Sequence, residues 1–258
     1  EQVPSVFFEH IALNTRVPPL DDPAVRRALA YAIDREEITR VLLDGDVPVL
    51  DSLLRPFQPG YAPVFERYRY DPRRARGELE AAGWRAGADG VYARDGRPLE
   101  VELVVPSEGA LRRTTGRLIA ERAREAGIRV RVRPETSDRL FGAILGRGDF
   151  QAAMFAIGGG VDPSVTGLLA SDQVPGPANG FSGQNVYGVA DPALDRLLAR
   201  SDRLIDDDLR AEALGRVQEV VAEEVPLIPL YQQPNTVAHV EALEGVRVNP
   251  SQAEVYWN

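Results

Sequence analysis

The 258-residue chain contains no cysteine and no lysine, and only two histidines. Without cysteine there is no thiol nucleophile, zinc finger or iron–sulfur cluster, while the cellular compartment stays open, because many exported bacterial proteins also lack cysteine. Without lysine there is neither a Walker-type phosphate loop nor a lysine Schiff base. Arginine substitutes for neither, since it stays protonated. All 30 basic residues are therefore arginine, set against 39 acidic ones, for a formal charge of -9. That field repels phosphate backbones, and no basic stripe interleaved with aromatics overrides it, so nucleic acid is excluded as a partner. No apolar run approaches the roughly 18–20 residues of a membrane helix, and the stretch from Glu1 to Phe8 has neither the basic residues nor the apolar core of an export signal.

What is present is an ordinary globular composition, 44% hydrophobic and 27% charged. A chain of this length buries ~70 to 75% of its unfolded surface, enough for a core without covalent staples. Val3 to Leu13 reads as a strand, followed by a turn at Pro18 and Pro19. Asp-Pro pairs then mark helix starts at Pro23, Pro72, Pro163 and Pro192, because Asp caps the free N–H groups and proline at the first position loses no needed donor. A further Asp-x-x-Glu cap, Asp34 with Glu37, opens a second helix carrying Ile38, Val41 and Leu42. From Asp46 to Tyr70 four prolines and scattered aromatics predict an irregular but packed excursion. The helix after Pro72 places Ala75, Leu79 and Ala82 on one face and ends at Gly83, with Trp84 folding back over it.

The clearest architectural signal follows. Leu99, Val101, Leu103 and Val105 alternate with Glu100 and Glu102, and Ile128, Val130 and Val132 alternate with Arg129, Arg131 and Arg133. Each is a strand with one apolar face, and the helical stretch from Leu111 to Ala126 between them makes a right-handed crossover and a parallel pair. The glutamates then lie beside the arginines on the polar face. A helix through Leu140 and Ile144 leads to a buried strand, Phe150 to Ile157, which opens into Gly158, Gly159 and Gly160. Two more helices, one bearing Leu194, Leu197 and Leu198 and one bearing Leu209, Ala213, Val217 and Val220, precede closing strands from Leu227 to Tyr231 and Thr236 to Val240. The expected fold class is α/β, a mixed sheet flanked by helices.

Chemistry-bearing patterns are sparse. His10 and His239 each sit beside an apolar strand pattern without a partner at metal spacing, which reads as structural. Ser182 in Gly-Phe-Ser-Gly misses the Gly-x-Ser-x-Gly elbow by one residue. The run Asp206, Asp207 and Asp208 is explained as a helix start, where the macrodipole favours anions. Asp162 reads as a helix cap before it reads as a ligand group. The glycine corner at 158–160 exposes backbone donors at a strand's carboxyl end, although it does not match the dinucleotide fingerprint.

These residues resemble a known family. Pro23-Ala-Val-Arg26-Arg27-Ala-Leu-Ala-Tyr-Ala-Ile-Asp34-Arg35, preceded by Leu13-Asn14-Thr15, is its most specific part, together with Tyr70-Asp71-Pro72 through Gly83-Trp84. Weaker echoes are Asp162-Pro163, Tyr187 followed by Asp191-Pro192, and Glu224 through Pro229. In order and content the chain resembles the second lobe of family 5 extracellular solute-binding proteins, the peptide- and nickel-binding components of ABC importers.

The resemblance implies a periplasmic-binding-protein-like type II lobe, non-enzymatic and without a cofactor or metal. Its implied partners are a peptide or other small solute, an ABC permease, and a first lobe of the same protein. It implies an extracytoplasmic setting, in the periplasm or tethered as a lipoprotein, with an export signal and first lobe preceding Glu1. Residues 1–13 would be the strand crossing from that first lobe, 14–230 the ligand-binding lobe and 231–258 the return segment. Carried over position by position, the ligand-facing strand end falls on Phe155, Ala156, Ile157, Gly158 and Gly159, the cleft loop on Gln184, Asn185 and Tyr187, and the return hinge on Tyr231 and Gln232. Peptide binders of this kind carry a Trp and then an Asp that pairs with the peptide amino group, where this sequence has Ala156 and Gly159. Two other readings remain open at this level: a hydrolase of carbohydrate or peptide using paired carboxylates, and a dimer formed through the tail Val246 to Asn258.

Overall fold

A computed structural model describes residues 2–159, 163–236 and Val240. Gly160, Asp162, His239 and the tail from Val246 to Asn258 lie outside the described residues, so the expectations placed on them are not taken further. Strand β1 (Gln2–Leu13) leads through the Pro18 turn into α1 (Pro23–Ala32). Asp22 caps α1 by accepting from Ala24 N at 2.9 Å, and Val25, Ala28, Leu29 and Ala32 face the core. Asp34 caps α2 (Arg35–Leu42) by accepting from Glu37 N at 2.8 Å. The excursion through Asp46 to Tyr70 is irregular as expected, with a single short helical turn at Val64–Arg67. Asp71 caps α3 (Pro72–Ala81) through two backbone donors, Arg73 N and Arg74 N. Past its end Gly83 takes φ 87, a conformation that favours glycine, and Trp84 N returns to Leu79 O at 2.9 Å, burying the indole over the helix end.

A small three-stranded sheet that the sequence does not announce comes next: β2 (Arg85–Ala86), β3 (Tyr92–Arg94) and β4 (Arg97–Pro98). Then β5 (Glu100–Pro106), α4 (Ala110–Glu125) and β6 (Arg129–Glu135) form the expected crossover with parallel pairing. On its polar face Arg131 meets Glu100 at 2.7 Å and Arg133 meets Glu102 at 2.9 Å. A helical stretch follows as α5 (Ser137–Arg139), a widened turn at Leu140–Ile144 and α6 (Leu145–Arg147). Strand β7 (Ala152–Ile157) follows, then α7 (Thr166–Leu169), α8 (Pro192–Arg203), α9 (Asp207–Glu224) and β8 (Leu227–Thr236).

Two sequence expectations need correction. The helix expected to start at Pro163 begins at Thr166, three residues on, without a side-chain cap from Val165, and Pro163 to Val165 are not helical. The first closing strand does not stop at Tyr231 but runs to Thr236, because β1 is long enough to pair with it as far as Gln2↔Thr236; a strand continuing to Val240 lies outside the described residues.

The main sheet has the order β6-β5-β7-β1-β8, parallel over its first three strands and antiparallel over its last three. It is the mixed α/β architecture expected. β1 is an interior strand, bonded to β7 on one side and β8 on the other, and its core residues Phe8, Ile11 and Leu13 are fully buried.

The most distinctive sequence motif turns out to be internal scaffolding. Asn14 donates through Nδ2 to Gly148 O and Phe150 O, both at 3.1 Å, fixing the approach to β7. Arg26 donates to Leu20 O and Glu224 O and pairs with the Glu224 carboxylate at 3.0 Å, tying α1 to the end of α9. Arg35 pairs with Asp51 at 2.9 Å and donates to Leu50 O, Phe65 O, Tyr68 O and Pro229 O, so one guanidinium organises much of the irregular excursion. Both arginines are almost fully buried, and a buried cation is tolerated only with such complete partnering.

Candidate functional site

Strand β7 emerges from the core at its carboxyl end. Ala152 to Phe155 are buried, Ala156 and Ile157 half-buried, and Gly158 and Gly159 exposed. The glycine at 158 is dictated by close approach: a Cβ there would lie 2.6 Å from the Phe7 ring of β1. Beside this corner lies a pocket of about 370 Å³ lined by Phe155, Ile157, Gly158, Gln184 and Tyr187, together with Phe141, Leu145, Leu168, Phe181 and Val186. Its size suits a small ligand, and its wall is mainly apolar, the usual character of ligand pockets.

The pocket floor is an aromatic stack. His10 packs edge-on against Phe155 at 4.5 Å between ring centroids, and its Nε2 lies 3.1 Å from Tyr187 Oη. Burial pushes the imidazole down to about 3, so at neutral pH it is uncharged and either donates to or accepts from the Tyr187 hydroxyl. Burial likewise pushes the Tyr187 hydroxyl well above its ordinary range. Nε2 and the Tyr187 hydroxyl satisfy each other inside the floor and contribute stiffness, while His10 Nδ1 is buried without a hydrogen-bond partner among the described residues. The rim behaves differently: Phe141 stands edge-on to Phe155 at 5.6 Å yet is 54% exposed, and Phe181 is 49% exposed. Two large aromatic rings held half in water beside an apolar floor are surface that a bound ligand would cover.

Of the ten residues singled out in the sequence, Phe155, Ile157, Gly158, Gln184 and Tyr187 come together around this pocket, with Ala156 and Gly159 on the same strand end. Asn185 does not face it. It is fully buried, with Nδ2 donating to Ala170 O and Val189 O and Oδ1 accepting from Gly188 N and Val189 N, so it holds the loop together and has no group to offer a ligand. Tyr231 and Gln232 are buried on β8, across β1 from the pocket: Tyr231 lies opposite Glu9, and Gln232 Nε2 donates to Ser5 O. The sequence reading missed the rim residues Phe141 and Phe181. Phe181 carried a signal, since it follows the Asn179-Gly180 turn; Phe141, next to the core residue Leu140, carried none.

Other concavities are less suited to hold a solute. A pocket of about 390 Å³ beside α2 is lined by Arg35 and Asp51, whose charges already neutralise each other. A third, about 590 Å³, lies between Pro18, Trp84 and Arg94 at the opposite end of β7, beside Gln151, and Arg94 there is committed to Asp22 at 2.6 Å. The described residues lining the Phe155 pocket include no Asp or Glu, and the buried Glu9 nearby in sequence is held bidentately by Arg112 at 2.8 and 2.9 Å. The carboxylate pair required by a hydrolase reading is therefore not assembled there. Among the described residues no group of three or more His, Asp or Glu is placed to hold a metal ion.

A mixed sheet with a parallel crossover at one side, two antiparallel long strands at the other and an open apolar pocket at a strand's carboxyl end defines a lobe of the periplasmic-binding-protein-like type II class. The oligopeptide-binding protein AppA of Bacillus subtilis, solved with a nonapeptide, superposes with a TM-score of 0.88 at 23% identity over 98% of this chain and 50% of its own. An oligopeptide-binding protein of Thermus thermophilus, complexed with a pentapeptide, gives a TM-score of 0.83 at 28% identity over 91% of this chain and 42% of its own.

The chain belongs to the bacterial extracellular solute-binding proteins, family 5, whose family model ("family 5 Middle") matches residues 1–175. It is 28% identical to a probable di/tripeptide-binding protein of Pseudomonas aeruginosa over 97% of this chain and 45% of that protein. It is 31% identical to the nickel-binding periplasmic protein of Escherichia coli over 81% of this chain and 40% of that protein. The chain thus spans about half the length, or less, of the relatives it matches.

Proposed function

We propose that this chain is the ligand-binding second lobe of a two-lobed extracytoplasmic receptor that captures a peptide or peptide-like solute and presents it to an ABC permease. The observation that carries this reading is the apolar pocket at the carboxyl end of β7, with Phe141 and Phe181 left half in solvent at its rim. A pocket walled on one side only is what one jaw of a clamshell presents. Closure of a second lobe over the rim would remove those rings and the solute from water together. The names of the relatives, di/tripeptide- and oligopeptide-binding, support the solute class.

In this reading β1 and β8, paired side by side through Phe8↔Gln232, are the two crossings between lobes, and Tyr231 and Gln232 act at the hinge rather than on the solute. Capture is then a population shift: solute touching both lobes binds the closed form better, and its differential affinity sets how far the equilibrium moves. The floor formed by His10, Phe155 and Tyr187 serves as the rigid base, while the exposed Gly158 and Gly159 let the solute's backbone approach the sheet. Gly159 brings no carboxylate for an N-terminal ammonium, so a peptide is held by apolar contacts and by groups other than that anchor.

The test is to express the full-length gene product and identify by mass spectrometry what co-purifies with it. Peptides are expected, and replacing Phe181 with Ser is expected to reduce their recovery. Recovery of a metal chelate or a sugar in place of peptides would contradict the solute assignment.

A further inference from the structure

Among the described residues three arginines are almost completely buried, and two of them are fully furnished. Arg26, 3% exposed, has the Glu224 carboxylate and two carbonyls. Arg35, 5% exposed, has the Asp51 carboxylate and four carbonyls. Arg55, 4% exposed, has one hydrogen bond, from Nη1 to Leu53 O at 3.1 Å. Its Nε is buried without an acceptor, Nη2 has no acceptor among the described residues, and no carboxylate there forms an ion pair with it. Burial alone pulls the guanidinium down to about 10 with nothing opposing it, which still leaves it cationic at neutral pH.

The side chain is held in this position on purpose-built supports. Arg55 N donates to Gln58 Oε1 at 2.8 Å and Gln58 N returns to Arg55 O at 2.9 Å, closing the turn that carries it. Its guanidinium lies over the Phe8 ring, 5.2 Å from the centroid. Its Nη2 borders the glycine corner: a Cβ on Gly159 would be 3.3 Å from it. The two donors left without partners, Nε and Nη2, lie on the same edge of the planar fork. That is the edge by which Arg112 grips Glu9 at 2.8 and 2.9 Å, and Arg122 grips Glu37, elsewhere in this molecule.

We propose that Arg55 is an anion-binding residue of the solute site, and that its free edge, reached across Gly159, receives a carboxylate of the captured solute. A buried cation without a counter-charge is costly, and a carboxylate delivered by the solute supplies both the missing charge and the two missing acceptors. Arg55 does not line the Phe155 pocket but lies beside it, next to Gly159; the inference rests on the receptor reading and makes it more specific: the solute carries a carboxylate at the end that meets β7.

The experiment follows the Arg55 Nε–H NMR signal of the 258-residue chain, assigned by its loss in Arg55→Gln, during titration with N-acetylglycine and with N-acetylglycinamide. These probes differ only in carboxylate against carboxamide. The expected result is a saturable shift with the acid at a concentration at least tenfold below any effect of the amide. In Gly159→Asp, which places a carboxylate beside Nη2 from within, the acid is expected to lose its effect. Equal responses to the two probes, no response to either, or a response undiminished in Gly159→Asp would overturn the proposal.

Competition by trialanine as the free acid, against an acidic tripeptide amide, then separates a terminal from a side-chain carboxylate; competition by neither would also overturn it. Failure of the receptor reading shows elsewhere, as full-length product that captures no peptide. Captured peptide indifferent to its carboxylate would leave the receptor and remove this site.

Discussion

The two ends of strand β7 are built on opposite principles. At its amino end the chain supplies its own partners: Asn14 spans Gly148 O and Phe150 O, and Arg26 locks α1 onto Glu224. At its carboxyl end Phe141 and Phe181 stand half in water and Arg55 is buried with no counter-charge among the described residues. A chain folded only for stability would have no reason to leave the second end unfinished. The difference separates the part of the lobe that holds its shape from the part that waits for something to complete it.

The largest effect that tests this contrast is a matched pair of substitutions. Arg35→Met is expected to destabilise by about 3–5 kcal/mol in urea denaturation, because it strands Asp51 and several carbonyls. Arg55→Met, at equal burial, is expected to be neutral or stabilising by up to about 2 kcal/mol, because it removes a charge that no carboxylate among the described residues offsets. Equal losses in the two variants would erase the distinction.

The second test uses pH. Unfolded, the His10 imidazole titrates near 6.5, whereas burial holds it near 3 in the folded chain. Between those values only the unfolded chain takes up the proton, so acid favours unfolding: the His10 contribution costs nothing above pH 6.5 and grows as pH falls towards 3. Its slope is at most about 1.4 kcal/mol per pH unit. Stability measured from pH 7 to 4 in the parent and in His10→Gln is expected to show a shallower decline in the variant, and parallel curves would place the acid sensitivity elsewhere. A smaller effect follows from Tyr187→Phe, which removes the hydroxyl facing His10 and is expected to cost about 1 kcal/mol.

Much of the frame was legible in the sequence because its signals are local. Asp22, Asp71 and Asp191 before proline do cap helices, and the Glu100–Arg131 and Glu102–Arg133 pairs follow from two strands with alternating faces joined by one helix. The sheet at 85–98 was not legible, since strands of two or three residues have no periodicity to read. At the site the glycine corner and Phe155 were reachable, but Asn185 misled. A loop asparagine reads as surface, and only the fold reveals that its four hydrogen bonds go to the loop's own backbone. Arg55 was illegible for the converse reason: nothing in an irregular proline-rich stretch tells a buried arginine without a partner from an exposed one.

The smallest stability effect carries a sharp functional contrast. Phe141→Ser and Phe181→Ser remove rings that are about half exposed, Phe141 giving up its edge contact with Phe155, and are expected to change stability by no more than about 1 kcal/mol. Solute binding by the full-length product is expected to weaken at least tenfold, as measured by calorimetry. A loss of several kcal/mol in stability with solute affinity unchanged would mean that these rings belong to the core.

The most direct measurement is a crystal structure of the full-length product with its co-purified solute in place. The account predicts solute density against Phe155, Ile157 and Gly158, with Phe141 and Phe181 closed over it. Solute seated instead beside Trp84 and Arg94 at the other end of β7, with the Phe155 pocket still open to water, would contradict it.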